Sequence, residues 1–304
     1  MTDAPPPAPR FLCVGDIDVD VLIRVEHLPT RDGKVNGTYL QRVPGGMAGN
    51  VSVALARLGA PVRLLGRVGD DDEAAFALDA LDRAGVDTSF VARLAGVRTF
   101  SCIGLVTPDG EKSLVKLMTP AYRPDAADLS TEACEGVTHI HLTSAGAADL
   151  CRRVVTLARA QRASTSIDVE RADCPTDPAA LAATLAGFDI AFCNREARTV
   201  LDARLGPRLA GLVGTVVTTL GEAGARMEAG AQRADAPGFA VDAVDTTGAG
   251  DCFAAACLHA RLAQGLPWPE ALRFANRAAS LSTLGLGAQG ALPTLAAVEA
   301  SLTR

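Results

Sequence analysis

The sequence predicts an α/β fold: a mostly parallel central sheet flanked by helices, carrying a small antiparallel β lid. Two observations lead there. Short β-rich apolar segments alternate with longer segments of helical periodicity through most of the 304 residues, the order that builds a parallel sheet covered on both faces. Two stretches break the alternation with period-two patterning, which suits strands that leave the main sheet.

Taken in order, "MTDAPPPAPR" is proline-rich and reads as a flexible leader over residues 1–10, before a single domain over 11–304. "FLCVG" is the first buried strand. "DIDVDVLIRV" through "TYLQRV" is the first lid segment, at about residues 17–43, and alternation places Asp16, Asp18 and Asp20 on one face and Ile17, Val19 and Val21 on the other. "AGNVSVALARLG" and "DEAAFALDALDRAG" have helical spacing, with the strand "VRLLG" between them. The second lid segment, about residues 97–117, is "VRTFSCIGLVTPDGEKSLVKL", where Pro108-Asp109-Gly110 has hairpin chemistry. "THIHL", "STSIDV", "DIAFC" and "TVVTT" follow as buried strands, and "ADLCRRVVTLARAQ" and "PEALRFANRAASLSTL" as helices.

Composition narrows the function. A hydrophobic content of 48% supports an ordinary folded core, and a formal net charge of −6 argues against a surface built for nucleic-acid backbones or acidic lipid. No apolar run approaches the ~20 residues of a membrane span, and the leader lacks the basic and apolar regions of a signal peptide. A soluble cytoplasmic protein acting on small molecules is expected. The eight cysteines form no C-x-x-C pair and read as reduced, mostly buried thiols.

Three motifs mislead. "GLGAQG", Gly285 to Gly290, satisfies G-x-G-x-x-G, but a helical pattern precedes it and no βαβ unit follows. Gly33-Lys34 is followed by Val35, so no P-loop exists. His139 and His141 share a strand face without a cysteine or acidic partner at ligand spacing, and read as packing residues.

Two glycine-rich segments carry the chemistry. In "AVDTTGAGDCFAAA", Gly248, Ala249 and Gly250 leave successive backbone amides unobstructed where an apolar helix begins. Open amides and the helix dipole together favour an anion there. An ordinary N-cap would need one aspartate only. A carboxylate, Asp251, at the edge of an anion nest is costly unless it takes a proton from a nucleophile attacking that anion. The second segment, "PGGMAGNVSVALARLGA", offers Gly45, Gly46 and Gly49 for close approach and Asn50 as donor and acceptor for hydroxyls. Upstream, Asp18 and Asp20 can accept from a polyol, each charge-assisted bond contributing ~1.5–3 kcal/mol.

These residues resemble the ribokinase-like (PfkB) carbohydrate kinases from about Phe11 to Pro293. "DTTGAGD" matches the family's C-terminal signature, and "GGMAGN" followed by "ARLGA" its N-terminal one. The resemblance implies ATP-dependent phosphorylation of a sugar or polyol hydroxyl, with Asp251 as base and Gly248, Ala249 and Gly250 as the anion hole. It implies Asp18, Asp20, Gly45, Gly46 and Asn50 at the sugar, and Asn194, Thr219, Gly221, Gly224 and Asn276 at the ATP. Mg2+ is implied as the metal. The loops around Asp245, Thr247 and Ser282 to Gly287, Gly285 included, resemble the family's monovalent-cation site, which would take K+. A lid of a few strands cannot bury both its faces, so Ile17, Val19, Val21 and the apolar positions of "FSCIGLV" are expected to stay partly exposed, and the resemblance implies a homodimer formed through these lid faces.

The sequence departs from the family where N-x-x-E is expected after "DIAFC": it reads Asn194-Arg195-Glu196-Ala197. Either Glu196 substitutes by a local shift or another group, such as Asp168 in "SIDVER", organises Mg2+. Some relatives carry lysine at the position of Met47, and its absence disfavours a substrate that is already phosphorylated. A nucleoside kinase is the rival reading, with Phe100 and Tyr39 as the few aromatics available to stack a base; a non-catalytic sugar-binding paralogue is the other.

Overall fold

The computed structural model describes residues 10–108, 112–143 and 148–303; the leader, apart from Arg10, and Asp109-Gly110 of the expected hairpin lie outside them. The chain starts with β1 (Phe11–Val14) and enters the lid as β2 (Asp18–Val25) and β3 (Gly37–Gly45). It continues through α1 (Met47–Arg57), β4 (Val62–Val68), α2 (Asp72–Arg83) and β5 (Asp87–Arg93), then returns to the lid as β6 (Ser101–Val106) and β7 (Lys112–Leu117). The second half runs β8 (His139–Thr143), α3 (Ala148–Gln161), β9 (Ser164–Val169), α4 (Pro178–Leu185), β10 (Ile190–Asn194), α5 (Arg195–Leu205), α6 (Leu209–Leu212) and β11 (Thr215–Thr219). A hairpin, β12 (Ala225–Ala229) and β13 (Gln232–Ala236), precedes α7 (Ala249–Leu258), α8 (Trp268–Ser282) and α9 (Leu295–Leu302).

The main sheet has the order β13-β12-β11-β10-β9-β8-β1-β4-β5. Pairings from β5 to β11 are parallel, and the terminal hairpin adds two antiparallel strands. Alternate residues of each buried strand feed opposite faces. Phe11, Cys13, Leu64, Ile190 and Phe192 join α1, α2, α7 and α8 in one core, while Leu12, Val14, Leu65, Ala191 and Cys193 join α3, α4 and α5 in the other. Burying one such phenylalanine contributes about 1.5–3 kcal/mol. Because β1, β8, β9, β10 and β11 point the same way, their carboxyl ends share one edge, where α/β sheets bind ligands.

The lid is a four-stranded sheet of order β3-β2-β6-β7. Its outer pairings are antiparallel, and the central β2–β6 pair is parallel. Both central strands leave the main sheet from its carboxyl edge, one after β1 and one after β5, so they travel in the same direction. One expectation about the lid is corrected: Ile17 and Val19 are 1% and 0% exposed, buried in the core shared with α2. The root of β2 is covered by the main domain, so the exposed apolar surface lies further out, at Tyr39, Val115 and Leu117, which are 63%, 48% and 44% exposed.

Candidate active site

Two cavities line the carboxyl edge. The smaller, about 260 Å³, lies under the lid between β2, β6 and the ends of β9 and β10. The larger, about 600 Å³, lies between the β11–β12 connection, the loop before α7, and α8. They share Thr219, Gly250 and Phe253, so a molecule in one can reach a molecule in the other at the head of α7.

The smaller cavity is built from loop geometry around α1. Gly46 ends the approach to that helix at φ +84°, and a Cβ there would stand 2.6 Å from the Asp16 carbonyl oxygen; only glycine fits. Gly46 supplies no cap, so Asp16 does: its Oδ2 accepts from the Met47 amide at 3.2 Å and its carbonyl from the Gly49 amide at 3.3 Å. This locks the end of β1 to the start of α1. The lid contributes Asp18, Asp20, Cys102, Leu114 and Lys116 to the lining, and the main domain Gly46, Asn50, Asp168, Glu170 and Asp251. Gly45 is a support rather than a lining residue: its missing side chain lets Asp18 approach, since a Cβ there would stand 2.2 Å from Asp18 Oδ1.

The head of α7 holds the other half. Gly248 caps the helix in the left-handed region, at φ +73°. The Ala249 amide donates to the Thr246 carbonyl at 3.2 Å, and Ala249 faces the larger cavity. Gly248 and Gly250 face the smaller one, and a Cβ added at Gly250 meets no atom within 4 Å. Of the three expected nest amides, Ala249's is therefore already engaged within the loop. Asp251 sits in the first turn of α7 and makes no cap bond. Its Oδ2 instead accepts from Asn50 Nδ2 at 2.8 Å, and Gln289 Nε2 donates to Asn50 Oδ1 at 3.0 Å.

Carboxylates dominate this space. Burial pushes the Asp251 carboxyl well above the usual range against the opposing Asn50 bond, and Asp168, Asp16 and Glu170 push it further. Asp168 is pushed up to about 7, by burial first and then by Glu170. Lys116 is the cationic group of the lining, 3.8 Å from Glu170. Burial disfavours its charge, but Tyr122, Glu170, Asp173 and Asp16 outweigh that and raise its pKa.

Thr219, Gly221, Gly224 and Asn276 line the larger cavity. Asn276 is anchored by its amide nitrogen, which donates to the Ala236 and Pro237 carbonyls at 3.0 Å each. Asn194 sits beside the junction as the N-cap of α5, its side chain accepting from the Ala197 amide at 2.8 Å. Glu196 is corrected: it lies on the outer turn of α5 with its side chain 70% exposed, 3.7 Å from Arg171, and is outside both linings. The position after it, Ala197, is packed inward at 0% exposure.

The loops holding Asp245, Thr247, Gly285 and Gly287 do come together. Asp245 Oδ1 accepts from the Thr247 amide and hydroxyl at 3.0 and 2.6 Å, and Oδ2 from the Gly287 amide at 2.9 Å. The Ser282 hydroxyl turns back to the Ala279 carbonyl instead. His139 and His141 are packing residues, bonded to Ser164 and Ser166 at 2.7 Å and pushed by burial down to about 3. "GLGAQG" forms turns after α8, yet its Gln289 steadies Asn50. Sequence reasoning missed Gln289, Lys116 and Glu170: no spacing rule marks them, because each reaches the site from a different loop or strand.

A family model described as "pfkB family carbohydrate kinase" matches residues 8–295. The ribokinase of Bacillus subtilis is 32% identical over 97% of this chain and 100% of its own length. An ATP-dependent ribose-1-phosphate kinase of Halopiger xanaduensis is 33% identical over 97% of this chain and 98% of its own. A solved Arabidopsis thaliana ribokinase, complexed with ribose and ATP, superposes with a TM-score of 0.83 at 25% identity, covering 98% of this chain and 99% of that one.

Proposed function

The chain belongs to the pfkB family of carbohydrate kinases, an ATP-dependent enzyme phosphorylating a sugar or nucleoside, and from that premise we propose how its two cavities divide the work. The smaller cavity takes a sugar and the larger takes ATP, whose γ-phosphoryl group meets the sugar hydroxyl at Gly250. The observation that carries this is the position of Asp251. Its carboxylate lines the smaller cavity one residue from the shared Gly250, held by Asn50.

Asp251 takes the proton of the attacking hydroxyl. The Gly248 and Gly250 amides, with the dipole of α7, face the transferring group where negative charge accumulates. Asp18 and Asp20 accept from sugar hydroxyls under the lid, which keeps competing water from the phosphoryl group. Asn50 orients the base, in addition to any contact with the sugar. On the nucleotide side, Thr219, Gly221, Gly224, Asn276 and Asn194 flank ATP.

Magnesium fits the end of β9. Asp168 and Glu170 are oxygen donors lining the smaller cavity near the junction, and they would hold the ion or its waters. When bound, Mg2+ neutralises charge on the phosphates. The Asp245 carboxylate, which draws the Thr247 and Gly287 loops together, supports a monovalent cation such as K+ beside Gly287. Residues 11–304 form the kinase domain on this reading. All eight cysteines are free thiols, which supports a reducing, cytoplasmic setting; among the described residues no helix is long and apolar enough to cross a membrane.

A sugar is favoured over a nucleoside because the rings that line the cavity, Phe100, Phe192 and Phe253, are 1%, 2% and 2% exposed and turn little face to a base. Tyr39 is 63% exposed on the lid's outside, and Phe100 is packed against Tyr122 with ring centroids 4.5 Å apart. ADP release measured against a panel of free sugars, sugar phosphates and nucleosides tests the reading. Preference for a nucleoside would overturn the sugar assignment, and the absence of turnover with every acceptor would overturn the role of the smaller cavity.

A further inference from the structure

At the root of the lid, Asp18 and Asp20 stand beside Cys102, a thiol that hydroxyl recognition does not call for. One ligand atom from each lies within 4.8 Å of the others, and all three residues are buried. The Cys102 thiol donates to Asp18 Oδ2 at 3.5 Å. Asp18 Oδ1 has no hydrogen-bond partner, although the residue is only 5% exposed. Gly45 is what lets the two carboxylates crowd together here: a Cβ on it would stand 2.2 Å from Asp18 Oδ1 and 3.1 Å from Asp20 Oδ2, so both oxygens pack against the same bare stretch of backbone.

We propose that Asp18, Asp20 and Cys102 form a binding site for a thiophilic divalent cation of the zinc class, inside the sugar cavity, and that such a cation inhibits the kinase by taking the sugar's place. A buried carboxylate oxygen without a partner is costly, and a cation relieves that cost directly. Burial, then the neighbouring Asp20 and Asp16, already push Asp18 well above the usual carboxylate range, so this corner carries an excess of acidic groups. The donor set selects the metal: a thiolate with two carboxylates prefers Zn2+ or Cd2+ to Mg2+. Tetrahedral coordination at about 2.3 Å to sulfur and 2.1 Å to oxygen needs an S···O edge of about 3.6 Å, and Cys102 Sγ to Asp18 Oδ2 is 3.5 Å. Three protein donors leave a fourth position for water. Binding replaces the thiol proton, and any proton on Asp18, with the metal; the protons pass to solvent.

The test uses Cd2+ alone, titrated into the wild-type protein without sugar or nucleotide and followed by the ultraviolet thiolate-to-cadmium charge-transfer band. One equivalent is expected to produce the band. Cys102→Ala and Cys102→Ser should each abolish it while the other cysteines remain, and Asp18→Asn should weaken binding ~10-fold or more. Circular dichroism establishes that at least one cysteine variant is folded. No band in the wild type, or an equal band in a folded Cys102 variant, overturns the site. Inhibition rests on the assignment of this cavity to the sugar. Zn2+ should raise the apparent KM for the sugar at fixed MgATP without lowering kcat; inhibition that competes with ATP instead overturns the inhibitory role. A Cd2+ band that is lost with Cys102 yet unaffected by a saturating sugar that is turned over would leave the metal site standing and overturn the sugar assignment.

Discussion

Asn50 donates to the carboxylate of Asp251 at 2.8 Å, across 201 positions of sequence. The bond joins the first turn of α1 to the first turn of α7, and so ties the two glycine-rich segments into one centre. Gln289, at 3.0 Å from Asn50 Oδ1, fixes which end of the amide faces the carboxylate. With its oxygen occupied by Gln289, Asn50 presents its NH2 to Asp251, stabilises the ionised form, and holds one carboxylate oxygen still. In the proposed mechanism the other oxygen meets the attacking hydroxyl.

Asp251→Asn is therefore expected to lower kcat by ~10²–10⁴ while ATP affinity stays within a few-fold. Asn50→Ala should lower kcat by ~10-fold or more and move the acid limb of the pH–rate profile upward, because it removes the bond that opposes the raised pKa of Asp251. Steady-state kinetics across pH check both. Near-normal turnover in Asp251→Asn would remove it from the proton transfer, and an unmoved acid limb in Asn50→Ala would remove Asn50 from its tuning.

Gly250→Val should obstruct phosphoryl transfer more than sugar binding. An added Cβ there meets no protein atom within 4 Å, so the side chain enters the passage shared by the two cavities and not the packed core. A fall in kcat with a sugar KM changed less than about threefold is expected. Unchanged kinetics would place the transferring phosphate elsewhere.

The missing family glutamate leads to a third expectation. Glu196→Gln should leave the Mg2+ requirement unchanged, since Glu196 faces solvent and pairs with Arg171, whereas Asp168→Asn should raise the Mg2+ concentration for half-maximal rate by several-fold. Asp168→Asn also has a pH signature. Its folded pKa, about 7, lies above the ordinary 3.8, so the folded protein binds the extra proton. That contribution to stability is complete below 3.8 and is lost as pH rises toward 7. The variant should flatten this fall in thermal melts, and should shift the acid limb of Asp251 to lower pH by removing a neighbouring carboxylate. A raised Mg2+ requirement in Glu196→Gln, or none in Asp168→Asn, would reverse the assignment.

Much of this centre was legible because its chemistry is local in sequence. "DTTGAGD" and "GGMAGN" each place open backbone at a helix start, and "DIDVDV" each second residue on one face, so periodicity alone predicts the helix heads and the carboxylate face. The inner strands of the main sheet, β1, β4 and β8 to β11, were equally plain, since burial on both faces leaves continuous apolar runs. What sequence could not supply is who touches whom. Asn50 reads as a sugar ligand from its neighbours, and only the crossing of α1 and α7 shows it on Asp251. Ile17 and Val19 read as a free apolar face, because alternation reports that a face is apolar without saying that α2 covers its root. The helix α5 and the hairpin of β12 and β13 carry many charges on exposed faces, which blurs their periodicity, and neither was anticipated.

The covered root of β2 also changes what a lid-mediated dimer would use. Tyr39 on β3 and Val115 and Leu117 on β7 form the exposed apolar part of the outer surface, and a small sheet gains stability by covering such a face with a second copy. We expect a homodimer at micromolar concentration, dissociated by Val115→Glu and detected by sedimentation. Because Leu114 and Lys116 of the same strand line the smaller cavity, disturbing β7 from outside should also raise the sugar KM. Asp20→Ala acts from the opposite face: it should raise that KM by ~10-fold, about 1.4 kcal/mol, without altering the mass in solution. The two variants thus separate the faces of one sheet. A wild-type monomer at that concentration would remove the dimer, while an unaltered KM in Asp20→Ala would remove β2 from the sugar and leave the dimer untouched.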